Sequence, residues 1–163
     1  MENPTIVSNP STSLGMRVLR TGAPRAVILI RLVVGGVFVS EGIQKFLFPD
    51  DLGPGRFASE TPLPAPTFFA YFGGTFEIIC GILLLVGLLT RVAAVPMIIN
   101  MIGAELFTKL PILTDEGARQ YLHEARNELS QLFGSLFLLF VGAGAWSIDA
   151  MLTRRRRLGS TSS

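Results

Sequence analysis

The sequence predicts an all-α membrane protein, a bundle of four transmembrane helices with both termini cytoplasmic. Three observations carry that expectation. The 163 residues are 49% hydrophobic and only 16% charged, with a mean hydropathy of +0.50, far more apolar than a soluble domain of this size. The apolar residues come in runs long enough to cross a bilayer, for which ~20 helical residues at ~1.5 Å each suffice. The charges inside those runs fall on helical stripes.

The first span, about 26–47, reads AVILIRLVVGGVFVSEGIQKFL and contains Arg31, Glu41, Gln44 and Lys45. Steps of three and four residues from Arg31 reach Gly35, Phe38, Glu41, Gly42 and Lys45, so charged and small residues share one seam. Such a seam should face other helices, and the remaining Val, Ile, Leu and Phe should face lipid. Phe48, Pro49 and Asp50 stop this span. Residues 49–66 are dense in Pro and Gly and predict a loop, with room for a short interfacial turn around Phe57.

The second span, about 66–89, carries one charge, Glu77, with Gly73, Gly74 and Gly81 around it to admit a close neighbour backbone. Aromatic Phe68, Phe69, Tyr71 and Phe72 mark its headgroup end. A tight Thr90–Arg91 connection leads to the third span, about 92–108, which holds Pro96, Asn100 and Glu105 and ends at Lys109 and Pro111. A polar loop with a short helix after Asp115 precedes the fourth span, about 124–152. Residues 1–24 read as a cytoplasmic tail without the apolar core of a signal peptide. Residues 153–163 form a basic tail that includes Arg154 to Arg157. The segment 25–152 is thus one transmembrane domain.

Basic residues orient it. Arg17, Arg20, Arg25, Arg91 and the four tail arginines lie on the terminus side, against Arg56, Lys109, Arg119 and Arg126 opposite. The positive-inside rule therefore places both termini in the cytoplasm. The expected location is a bacterial cytoplasmic membrane, in contact with lipid. Arginines that flank spans without interleaved aromatics argue against nucleic-acid binding.

Each span then contributes a carboxyl, Glu41, Glu77, Glu105 and Glu128, toward the outer half of the bundle. An unpaired charge at the helix centre costs ~2.5 to 3.5 kcal/mol on the insertion scale, so partners are expected. Arg31 is predicted to reach Glu77 across the bundle, and Glu41 to pair with Lys45 four residues along its own helix. The same polar residues have a plainer role, fixing helix register, and Lys45 and Lys109 suit snorkelling anchors. The single Cys80 excludes an internal disulfide and a Cys-x-x-Cys relay. The single His123 excludes bis-histidine haem ligation by one chain, and no Glu-x-x-His pair supports a di-iron site. No metal or haem is expected in this chain alone.

Three segments, GIQK (42–45), EIICGILLLVGLLTRVAA (77–94) and GAGAWSID (142–149), together resemble DoxX-type membrane proteins over roughly residues 25–149. The positions matching the recurring polar residues of that family are Arg31, Lys45, Glu77 and Arg91, while Cys80 stands where a second glycine often precedes Gly81. The resemblance implies a four-helix membrane bundle. For some members it implies association with quinol oxidase or thiosulfate:quinone oxidoreductase complexes, and for others with assemblies for thiol and oxidative stress.

The leading functional expectation is an integral subunit of an oxidoreductase complex with a lipid-accessible quinone pocket, its electrons coming from a soluble or membrane partner. Glu77 is the expected proton donor, with Arg31, Lys45 and Glu41 as the other reacting groups. Phe38, Gly42, Phe76, Gly81, Glu105 and Glu128 are expected to line the ring site. A non-catalytic scaffold that recruits soluble enzymes is the alternative, and a solute or proton pathway is the third. Homo-oligomerisation stays open.

Overall fold

The computed structural model describes residues 24–60 and 64–159. The expected N-terminal tail up to Ala23, with Arg17 and Arg20, lies outside the described residues, as do 160–163 at the other end and the side chains of Arg155 to Arg157. The described residues are helical, without strands. In order they form α1 (Val27–Leu47), α2 (Pro54–Glu60), α3 (Pro66–Val86) and α4 (Thr90–Ala104). A π-helical turn (Glu105–Lys109) follows, then α5 (Leu110–Asp115), α6 (Ala118–Glu124), α7 (Arg126–Val141) and α8 (Ile148–Gly159).

Among the described residues, three helical stretches are long and apolar enough to cross a membrane: Val27–Leu47, Pro66–Val86 and Thr90–Asp115. Only about a third of each window is buried within the chain. The outward residues, among them Leu29, Val33, Ile79, Val92, Ile99 and Phe140, are large and apolar. That surface suits lipid tails. Inside, Val34, Phe38, Leu84, Met97, Met101 and Leu138 form the core.

The tightest contact is between α1 and α3. A Cβ on Gly35 would stand 2.8 Å from the Gly81 carbonyl oxygen, and one on Gly42 would stand 2.6 Å from that of Gly74. The paired numbers rise on one helix as they fall on the other, so the two run antiparallel with backbones touching. Without a Cβ at these positions the helices approach as close as small-residue seams permit. Gly42 and Gly81 are thus spent on helix contact, and neither is on the wall of the cavity beside Glu77, unlike the ring-site role expected for them. Helix α4 packs on α3 and on α7, and α7 closes the ring against α1, where Gly134 lies over Val34.

Two expected spans differ in detail. The third passes Lys109 and Pro111 and runs on as helix to Asp115, because the π turn places Pro111 at the start of α5, where its missing N–H is not needed. The fourth is not one helix over 124–152. It stops at Val141, where Gly142 (φ 87°) and Gly144 (φ 80°) take left-handed conformations, and helix resumes only at Ile148. The loop 49–66 does carry a short helix, α2, around Phe57.

Candidate functional site

Arg31 is 2% exposed, yet it does not meet Glu77. Its Nε donates to the Leu84 carbonyl at 2.8 Å, Nη2 to Leu85, and Nη1 to Ala143 at 3.1 Å and Trp146 at 2.6 Å. These are carbonyls left over at the end of α3 and in the break after α7. The rigid guanidinium fork serves four of them at once. Helix α3 itself ends in a Schellman turn, with Leu88 N–H donating to Leu83 O at 2.9 Å around left-handed Gly87. A Cβ on Gly87 would fall 2.6 Å from the guanidinium carbon of Arg31.

Asp149 completes this end. Its carboxylate accepts the N–H groups of Leu89 at 2.8 Å and Thr90 at 3.1 Å, which open α4. Leu89 has a φ of 49°, a conformation costly for a branched apolar residue. The Asp149 contact holds it. Ser147 Oγ caps α8 by accepting from Ala150 N–H, and the Arg25 guanidinium lies 5.6 Å from the centre of the Trp146 ring. The residues of GAGAWSID therefore build a clasp that ties α1, the α3–α4 hairpin and the α7–α8 break together.

Further along α1, the expected Glu41–Lys45 pair is replaced by another. Lys45 Nζ donates to both oxygens of Glu77, and Asn100 Nδ2 donates to Glu77 Oε1 at 2.6 Å. Glu77 is 2% exposed on its side chain, so a partner across the bundle, out of water, outweighs a neighbour on the same half-exposed helix face. The three residues come from α1, α3 and α4 and sit beside a cavity of about 510 Å³. Its size is typical of a small-molecule site. Phe38, Phe57, Phe69, Phe72, Phe76 and Phe107 supply much of the wall. The polar members are Glu41, Lys45, Arg56, Glu77, Asn100, Thr108, Asn127, Glu128 and Gln131.

Of the expected site residues, the fold thus brings Phe38, Glu41, Lys45, Phe76, Glu77 and Glu128 to one cavity, and leaves Arg31, Gly42, Gly81 and Glu105 off its wall. Asn100 and Gln131 were not among the expected site residues. For Gln131 a signal existed: Glu128, Gln131 and Ser135 recur at helical spacing on one face of α7.

Near the mouth, Lys109 at the end of the π turn is buried and lies 3.5 Å from Glu128 Oε1 and 3.8 Å from Glu124. The Tyr121 hydroxyl donates to Glu105 Oε2 at 3.0 Å, and that hydrogen bond raises the phenol's pKa above its ordinary value. Some buried oxygens here have no hydrogen-bond partner: Glu105 Oε1, Glu128 Oε2, Gln131 Oε1 and Ser135 Oγ. Among the described residues no group of His, Cys, Asp or Glu is placed to hold a metal ion.

Residues 26–110, from α1 through the π turn, match the DoxX family model. The chain belongs to the DoxX family. An uncharacterized membrane protein of Mycobacterium tuberculosis is 53% identical over 145 residues, covering 85% of this chain and 88% of the relative. An uncharacterized protein of Haemophilus influenzae is 33% identical, covering 82% and 96%. A Bacillus subtilis relative named "Putative oxidoreductase CatD" is 27% identical, covering 83% and 92%. No solved structure matches the chain. The DoxX match ends before α7, so it takes in Arg31, Lys45, Glu77 and Asn100 but not Glu128, Gln131 or Asp149. The M. tuberculosis relative extends the likeness over most of the remaining chain.

Proposed function

We propose that this DoxX protein is an integral membrane subunit of an oxidoreductase complex and that its cavity takes a quinone or quinol ring from the lipid phase. The observation that carries the reading is the aromatic cavity itself, about 510 Å³, with a charged Lys45–Glu77–Asn100 cluster on its wall. Flat apolar walls with a few convergent polar groups suit a substituted ring. The Bacillus subtilis relative carries an oxidoreductase name, which agrees with this reading.

In the membrane, α7 joins the three long stretches as a fourth span. At 16 residues it reaches only ~24 Å, and the loop through Trp146 completes the crossing. Both termini are then cytoplasmic, with Arg25, Arg91 and Arg154 on that side and Arg56, Lys109, Arg119 and Arg126 opposite. The Lys45–Glu77 cavity opens toward the outer half, and the Arg31 clasp faces the cytoplasm.

A bound quinone supplies two-electron redox chemistry coupled to proton exchange, with electrons passing to or from a partner protein. The chain's own residues hold and orient the ring. Lys45, held by both Glu77 oxygens, presents a hydrogen-bond donor at the cavity wall. Asn100 keeps Glu77 aligned from α4. Glu77, engaged by Lys45 and Asn100, orients the Lys45 side chain at the wall. Phe38 and Phe76 exclude water from the ring.

The test is to purify the protein from native membranes in mild detergent, extract the lipids and record a reduced-minus-oxidised ultraviolet spectrum beside a Glu77→Gln variant. Near-stoichiometric quinone in the wild type, lost in the variant, supports the reading. No quinone in the wild type overturns it and favours the scaffold alternative, in which co-purifying proteins become the object.

A further inference from the structure

Resting on the proposed ring site, we infer that the cavity is built for the hydroxylated, reduced ring, a hydroquinone, in preference to the quinone. The argument comes from which polar atoms around the cavity are already engaged. At one side Lys45 is held by Glu77, and Glu77 by Lys45 and Asn100. An ammonium has three donors, so Lys45 accepts the oxygen of either redox form without preference. At the other side Gln131, 3% exposed, and Glu128 both line the cavity, and each has a buried oxygen without a partner.

Those two oxygens are acceptors. Lys109 lies 3.5 Å from the other oxygen of Glu128, and a carboxylate can only accept. A quinone brings only carbonyl oxygens, so it would leave Glu128 Oε2 as unsatisfied as it is without a ligand. A phenolic hydroxyl donates to it. If the Gln131 amide turns over, the hydroxyl still suits it, because a hydroxyl both gives and takes hydrogen bonds. The remaining cations do not reverse this: Arg56 on the wall is, like Lys45, a donor that suits the oxygen of either redox form, Arg31 is consumed by four carbonyls away from the cavity, and Lys109 is shared between Glu124 and Glu128. The acceptor pair on α7 thus selects oxidation state, while the phenylalanines select the ring.

The test is anaerobic equilibrium dialysis of the whole protein in phosphatidylcholine nanodiscs, with empty nanodiscs subtracted, against a decyl-substituted benzoquinone and the hydroquinone made from it. The expected result is hydroquinone binding at least tenfold tighter, which for a two-electron couple raises the bound potential by ~30 mV. Glu128→Gln and Gln131→Leu are expected to bring the ratio toward one while quinone binding holds or improves. Equal affinity, or tighter quinone, in the wild type overturns the inference and leaves the proposed ring site standing. Failure of both forms to bind removes the ring site as well. A wild-type preference that survives in both variants removes the assignment to α7, and should a variant fold poorly, the wild-type ratio alone still decides the redox selectivity.

Discussion

The two charged centres of this bundle are built from similar parts and finished differently. At the clasp, every nitrogen of the Arg31 guanidinium donates to a carbonyl, and both oxygens of Asp149 accept N–H groups. At the cavity, the Lys45–Glu77–Asn100 cluster is equally complete, but α7 lines the same cavity with Glu128 and Gln131, each of which keeps an unpartnered buried oxygen. A completed polar network fixes structure, whereas unmet hydrogen-bonding capacity beside a cavity is what a ligand can use. The clasp is not perfect, since Thr90 Oγ1 also lacks a partner. That hydroxyl is not on the wall of the cavity.

Substitutions can break this contrast from either end. The largest effect is expected for Arg31→Met. It strands carbonyls at the end of α3 and in the α7–α8 break, and at ~1–3 kcal/mol for each unsatisfied buried group the loss should prevent recovery of folded, monodisperse protein in detergent. Arg31→Lys should recover only part of it, because a point ammonium cannot serve carbonyls spread around a planar fork. If Arg31→Met folds normally, the clasp is not what joins α1 to the α7–α8 break.

Next in size is Lys45→Met, which leaves Glu77 buried and uncompensated, at ~3–5 kcal/mol. The paired variant Lys45→Met/Glu77→Leu should regain most of the lost thermal stability but no ring binding. A thermal unfolding series in one detergent reads the stability, and dialysis reads the binding. A double variant as unstable as the single would show that the pair is needed by the fold itself.

The opposite sign is expected at Ser135, which is fully buried with an unpartnered hydroxyl. Ser135→Ala removes an unmet polar group and should raise stability by ~1 kcal/mol, read as a higher Tm. A lower Tm would mean that an ordered water already serves that oxygen.

The smallest effect concerns the mouth. Because donation to Glu105 raises the Tyr121 pKa, this contact contributes stability fully below the ordinary tyrosine value. That contribution is lost as pH rises through the raised one. An ultraviolet titration in a Tyr71→Phe background should show ionisation above the ordinary range, and Glu105→Gln should lower the midpoint. An unchanged midpoint would remove the Tyr121–Glu105 bond from the description of the mouth.

Much of the bundle was legible because lipid imposes long apolar runs. Helix α1 occupies the expected 26–47 stretch, and α3 starts at Pro66 as expected but ends at Val86, short of the expected 89. The seam carrying Gly35, Phe38, Gly42 and Lys45 does turn inward. Partner choice was less legible. A sequence displays side-chain charges but not the carbonyls that helix ends leave exposed, so Arg31 was assigned to the nearest acid when its partners are main-chain oxygens. Local spacing favoured Glu41 for Lys45, but only the close approach of α1 and α3 across their glycines reveals that Glu77 lies within reach. The break at 142–147 did leave a trace in its two glycines, outweighed by the apolar run before it.

The π turn at Glu105–Lys109 acts as one extra tooth in the gear of the third membrane-crossing stretch. Were the same five residues to run as ordinary α-helix, everything beyond them would swing by ~100°. Lys109 would leave Glu124 and Glu128 with no charged side chain removed. The electrostatics of this end are therefore set by the path of the backbone as much as by residue type.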